Sequence, residues 1–286
     1  MEGMSSPAKR IRTIAITSGK GGVGKTNVVA NLAVSLQRRG NNVLVFDADL
    51  GLSNIDVLFG IVPKYTIQHL LSGERSLQEV LVKGPEGILI LPASSGVEEI
   101  TCLDEFQRLR VLDEFDSFDG KIDYLLIDTG AGISSNVTFF CIAAQEIIVV
   151  ITPEPTSLTD AYALIKVLYT KYQERNFKIL VNYTRSSSEA LETFRRLHLV
   201  TERFLKLSLD YLGLIPRDGA VKRAVIAQDA VVIREPDSSS SRSFRDLALK
   251  LHNSSNDERL KGSIQFFLGN LFGNGEAVNT VSRGAD

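Results

Sequence analysis

The sequence predicts an α/β fold, a mainly parallel, twisted sheet covered by helices on both faces. Two observations carry that prediction. Short, continuous apolar runs recur at regular intervals along the 286 residues, with segments of helix length between them. Such runs suit strands buried on both sides, and their alternation with helices suits right-handed crossovers in one sheet. The second observation is a glycine-rich loop that joins the first apolar run to a helical pattern.

Taken in order, residues 11–17 (IRTIAIT) form a short β-branched run, as expected of a buried strand. After the loop, Val28, Val29, Leu32, Ala33 and Leu36 recur with a helical period, which stops at Arg38, Arg39 and Gly40. Further strands are expected over 42–49, 88–93, 124–128, 147–152, 177–182 and 211–216. Residues 235–243 (EPDSSSSRS) read as a loop before a last domain helix at 244–252, and 253–261 (NSSNDERLK) as a polar linker. In 263–272 (SIQFFLGNLF), Ile264, Phe267, Leu268, Leu271 and Phe272 repeat at i, i+3, i+4, i+7 and i+8, and Phe266 widens the stripe, so an amphipathic C-terminal helix is expected. Spacing alone suits a helix packed on the domain as well as one lying on a membrane. The chain thus divides into one domain over 1–255 and a linker with tail over 256–286.

Composition narrows the classes. Hydrophobic content of 44% and charged content of 23% are those of a globule with an ample core. The net charge of −2 argues against nucleic-acid binding by the whole surface. No apolar run is long enough to span a bilayer, and MEGMSSPAKRIR has no apolar signal segment, so a cytoplasmic location is expected. Cys102 and Cys141 form no CxxC pair and read as small buried hydrophobes. His69, His198 and His252 lack ligand-like spacing and read as surface or packing residues.

The loop Gly19-Lys20-Gly21-Gly22-Val23-Gly24-Lys25-Thr26, followed by Asn27, satisfies the phosphate-binding pattern. Glycines let successive N–H groups turn inward on anionic oxygens, Lys25 supplies a charge to the β and γ phosphates, and the Thr26 hydroxyl is a ligand for Mg²⁺. The flanking strand and helix place those phosphates at a helix N-terminus. The sequence therefore predicts a P-loop NTPase. Ligands in such sheets lie beyond the carboxyl ends of the strands, where the second run ends in Phe46-Asp47-Ala48-Asp49 and another in Leu125-Leu126-Ile127-Asp128. Asp128 is the expected metal carboxylate, direct or through water.

With its second lysine, Lys20, KGGVGKT resembles the deviant Walker A loop of the MinD/ParA ATPases. Asp49 with GLSNIDVLFG resembles their switch I and Asp128-Thr-Gly-Ala-Gly their switch II; TPEPTSLTDAY and GLIPRD extend the likeness over nearly the whole chain. TPEPTSLTDAYALIK, IPRDGAVKRAV and IQFF look closest to the FlhG (FleN) branch, regulators of flagellar number. The resemblance implies an Mg²⁺-dependent ATPase in which ATP joins two subunits into a homodimer and each Lys20 crosses to the partner's phosphates. It implies that Asp49 orients the attacking water, and that Asp47 and Asp49 support the Mg²⁺ shell beside Thr26 and Asp128. It assigns Asn182, Pro216, Arg217 and Asp218 to the adenine of ATP or ADP.

The same resemblance implies a membrane-targeting tail on the inner face of the cell membrane, with a polar position among the expectations. Arg259 and Lys261 are offset by Asp257 and Glu258, so one tail binds lipid weakly and two tails on a dimer gain effective concentration. The partners implied are the flagellar GTPase FlhF, a flagellar transcription regulator or a basal-body component, with no specific nucleic acid. MEGMSSPAKR lacks the DQAxxLR segment that the branch often carries, so stimulation of that GTPase is not expected. A division-site role of the MinD type shares the loop and the tail. A DNA-partitioning role of the ParA type wants a basic patch, and an iron–sulfur carrier wants cysteines in other motifs. A metabolic P-loop enzyme shares the loop chemistry.

Overall fold

The computed structural model describes residues 11–50, 54–93, 103–118 and 120–254. The expected tail helix at 263–272, Cys102, the first ten residues and Gly51–Ser53 of the switch I phrase lie outside the described residues.

The strands are β1 (Arg12–Ser18), β2 (Val43–Ala48), β3 (Val82–Lys83), β4 (Leu89–Leu91), β5 (Tyr124–Ala131), β6 (Glu146–Ile151), β7 (Phe177–Thr184) and β8 (Asp210–Pro216). They form one sheet in the order β3-β4-β2-β5-β1-β6-β7-β8, and every pairing is parallel except β3 with β4. The mainly parallel sheet expected from the apolar runs is present. The two-residue edge strand β3 is an addition, too short to leave a period in the sequence.

Alternation along the strands sorts the core into two layers. Ile14, Ile16, Val45, Leu126, Ile148 and Val150 face one side of the sheet, and Ala15, Ile147, Val149 and Ile151 the other. The first side is covered by α1 (Lys25–Gln37), with α2 (Ile55–Leu58). The second carries α3 (Ile67–Ser72), α4 (Leu77–Val80), α5 (Glu105–Asp116), α6 (Ser135–Ala143), α7 (Pro155–Tyr172) and α8 (Ser187–Leu205). The chain then returns to the first side with α9 (Gly219–Ile226), α10 (Val231–Arg234) and α11 (Ser239–Asn253). No helix among the described residues is long and apolar enough to cross a membrane.

Of the boundaries that differ from the sequence reading, two bear on the site. Helix α11 begins inside the serine run read as a loop, because Ser238 caps it by accepting from the Ser241 N–H and the Asp218 carboxylate accepts from the Ser240 N–H. Strand β5 does not end at Asp128. It continues to Ala131 beside β1, with Ser18 opposite Ala131. Cys141 is fully buried, as expected of a small hydrophobe, and burial pushes its thiol up to about 12. His69 sits in the capping box of α3 and His198 stacks on Phe194, both packing roles.

At the amino edge of the sheet, buried Arg12 of β1 donates to Glu146 of β6 and to the Leu251 carbonyl of α11. Its Nη2 reaches the Ser254 hydroxyl at 2.8 Å, and Lys178 of β7 pairs with Glu146 at 2.9 Å. Burial pushes the Glu146 carboxyl upward, but hydrogen bonding and charge from Arg12, with Lys178, outweigh it and hold it below the usual 4.5. A depressed carboxylate stabilises the fold above its unfolded value and loses that contribution as pH falls through its folded one. Glu146→Gln should therefore lower stability at pH 7 and flatten the loss below about pH 4.5. Urea midpoints measured from pH 7 to pH 3 check both effects.

Candidate nucleotide-binding site

The site lies where the strand order turns outward on both sides of β1, the position at which open α/β sheets bind ligands. The loop from Gly19 to Gly24 leaves the carboxyl end of β1 and enters α1, so the first N–H groups of that helix face the concavity. Gly24, the residue before α1, has φ +88°, and a Cβ on it would lie 2.6 Å from the Asn182 amide nitrogen. Gly19 is required by contact. A Cβ there would lie 2.1 Å from the Asp160 carbonyl carbon of α7, so loop and helix backbones touch. Gly19→Ala should cost about 1–3 kcal/mol by overpacking and displace the loop. Calorimetric melting should show a fall of several degrees, with nucleotide binding weakened in parallel.

Three carboxylates and one lysine meet beside the loop. Asp47 of β2 and Asp128 of β5 are register partners on adjacent strands. Asp47 is fully buried and holds the segment after β2, accepting from the N–H groups of Asn54 at 2.9 Å, Ile55 at 3.1 Å and Asp49 at 3.3 Å. Burial raises its carboxyl against those three donors. Asp128 is buried, and neither of its carboxylate oxygens has a hydrogen-bond partner. Burial first, and then the charge of Asp47, pushes it upward, while Lys25 and the nearby Thr26 hydroxyl pull it down. The Thr26 hydroxyl is close enough to act on Asp128, but not in hydrogen-bonding geometry.

Asp49 is partly exposed, raised by burial and lowered by Lys25. Its Oδ1 lies 3.4 Å from where a Cβ on Gly130 would stand, so the residue after β2 meets the glycine two residues beyond Asp128. Among the described residues no three acidic, histidine or cysteine side chains form a preformed metal cage. Mg²⁺ on a nucleotide needs only one or two carboxylates, with phosphate and water completing the shell. The unpartnered buried oxygens of Asp128, facing Thr26, fit that ion.

The remaining predicted residues divide. Lys20 points out of the loop, its ammonium 2.7 Å from Glu154 and 3.0 Å from the Thr156 hydroxyl at the start of α7. The pair is exposed, so it contributes less than about 1 kcal/mol and leaves the lysine free to swing. Asn27 accepts from Asn31 through its backbone carbonyl. Asn182 of β7 donates to the Val23 carbonyl at 2.8 Å and thereby props the loop. Pro216 ends β8, and the Arg217 N–H bonds the Thr184 carbonyl at 2.7 Å, which sets both beside β7. Asp218 has both oxygens engaged, with the Ala220 N–H, the Ser240 N–H and hydroxyl, and the Ser239 hydroxyl. Slight burial raises its carboxyl, yet these donors bring it down to about 2. In this structure it caps α9 and ties it to α11. Spacing does not single out Glu154 and Thr156; their local signal is a polar pair flanking the proline that opens α7.

A family model described as an AAA domain matches residues 11–181. Among solved structures, the MinC:MinD cell division protein complex of Aquifex aeolicus superposes with a TM-score of 0.71 at 29% identity, over 85% of this chain and 96% of that one. The septum site-determining protein MinD complexed with Mg-ADP from Pyrococcus horikoshii gives 0.70 at 28%, over 85% and 96%. The antiactivator FleN of Pseudomonas aeruginosa is 42% identical over 91% of this chain and 93% of its own length. The chain belongs to the MinD/ParA family of P-loop ATPases. A second relative of this family, the flagellum site-determining protein YlxH of Helicobacter pylori, is 42% identical over 74% of this chain and 72% of its own. This MinD/ParA chain thus lies near the flagellar branch indicated by its own phrases.

Proposed function

We propose that the chain is an ATP-hydrolysing switch that dimerises around ATP, binds the membrane through its tail and sets flagellar number or placement through protein partners. One observation carries the reading. A phosphate loop with two lysines, one buried beside an unpartnered Asp128 and one exposed at the rim, occurs in a chain alike to an antiactivator FleN over nearly its whole length.

Each residue has a role that its surroundings favour. The N–H groups of the loop and the Lys25 ammonium hold the phosphates. Thr26 and Asp128, with Asp47 and Asp49 behind them, would hold Mg²⁺, and the bound ion supplies charge neutralisation at the transferring phosphoryl group. Asp49 orients a water for attack. Lys20 leaves Glu154 and Thr156 and reaches the partner's phosphates, adding positive charge as an arginine finger does. Because Asp47 fastens Asn54 and Ile55, and Asp49 abuts Gly130, loss of the γ phosphate would be felt by both segments.

The tail at 263–272 converts that switch into membrane attachment, which would keep the dimer on the inner membrane face. Removing residues 262–286 should abolish ATP-dependent co-sedimentation with anionic lipid vesicles, and retained binding would sink the membrane role. The partners we expect are a flagellar GTPase such as FlhF, a flagellar transcription regulator or a basal-body component. Replacing the chromosomal gene with the Lys25→Ala variant and counting flagella by electron microscopy tests the biology. Altered number or position is the expected result. Normal flagella with misplaced septa would instead assign the chain to division-site control.

A further inference from the structure

Strand β7 does not end regularly. Val181 pairs with Leu214 and Thr184 with Pro216, so three steps on β7 oppose two on β8, a bulge of one residue. Tyr183 lies within it at φ +59° and is the one non-glycine strand residue with positive φ among the described residues. Gln173 and Lys206 share such a φ, but both end helices, where that conformation is routine. For a bulky aromatic side chain inside a strand that conformation is strained. The strain is held in place locally, because the Tyr183 N–H donates to the Asn182 side-chain carbonyl at 2.9 Å, while the Asn182 amide donates to Val23 of the phosphate loop.

The bulge turns the tyrosine toward the loop. Its Cε2 lies 3.5 Å from where a Cβ on Gly24 would stand, at the N-terminus of α1. Tyr183 is nevertheless 45% exposed, so the residue touches the loop without being covered by it. Neither folding nor the hydrolytic chemistry explains a strained, half-exposed aromatic at that point. A planar nucleobase attached to phosphates in the loop does, because an aromatic face stacks on any base.

We infer that Tyr183 is a base-binding residue of the nucleotide site, and that its ring is the platform on which the base stacks. The inference rests on the nucleotide-binding reading above. It separates two parts of the ligand: the loop grips phosphate, and Tyr183 grips the base beside the Asn182 amide. Strain in the bulge is retained because it aims the ring.

Calorimetric titration of the full chain with ADP and with inorganic pyrophosphate, both with Mg²⁺, tests this without dimerisation or turnover. Tyr183→Phe should bind ADP within about twofold of the parent. Tyr183→Asn and Tyr183→Gly, which accept positive φ more readily, should bind ADP about ten- to a hundredfold more weakly. Pyrophosphate affinity should stay unchanged in all three. Unchanged ADP affinity in Tyr183→Gly and Tyr183→Asn would overturn the inference. So would an equal loss for ADP and pyrophosphate, which would make Tyr183 a prop for the loop. A parent chain that binds neither ligand would overturn the nucleotide site itself, and the base platform with it.

Discussion

Lys20→Ala should leave ATP bound but keep the protein monomeric, with turnover lowered by about 10³-fold or more, whereas Lys25→Ala should lose nucleotide altogether. The two lysines are five positions apart in one loop, yet their surroundings are opposite. Lys25 is buried and acts electrostatically on Asp49 and Asp128, so its charge belongs to the cavity of its own subunit. Lys20 is 37% exposed and rests against Glu154 and Thr156 at the rim, where a second subunit could be reached. A charge delivered across an interface acts on the transition state only after dimerisation, so its loss should spare binding. Equilibrium dialysis with ATP, sedimentation and phosphate release together separate the two outcomes. Equal loss of binding in both variants would contradict the assigned roles.

Asp128→Asn should move stability and function in opposite directions. The carboxylate is buried, lacks hydrogen bonds and stands beside Asp47, its register partner. Without Mg²⁺ these features cost stability, since a buried polar group without a partner retains its desolvation penalty. The isosteric amide removes the like charge, and the metal-free protein should gain about 1–2 kcal/mol, seen as several degrees in melting temperature. The same variant should lose at least tenfold of the tightening that Mg²⁺ gives to nucleotide binding, and its turnover with it. A less stable variant with Mg²⁺ dependence intact would show that Asp128 serves the fold instead.

Much of the site was legible because its chemistry is local. The phosphate loop occupies eight consecutive residues, and Asp47, Asp49 and Asp128 each follow an apolar run that had to be a buried strand. The contacts that tune the site are long-range and left no pattern. Lys20 and Glu154 are 134 positions apart, and Asn182 meets Val23 across 159. The serine run at 238–241 read as a loop because its composition favours turns, but capping by Ser238 and by the distant Asp218 makes it the start of α11. The resemblance assigns Asp218 to adenine, while its oxygens in this structure are spent on helix ends. The bulge at Tyr183 could not be foreseen, since YT after an apolar run continues a strand by propensity.

The central claim is that ATP itself is the glue between two subunits. Sedimentation velocity of Asp49→Ala with saturating Mg-ATP, compared with Mg-ADP, tests it most directly, because removing the carboxylate that we propose orients the water should trap the state before hydrolysis. The account predicts a stable dimer with ATP, a monomer with ADP, and a monomer in both when Lys20→Ala is added. A monomer with saturating ATP, in a variant shown by dialysis to bind it, would contradict the account.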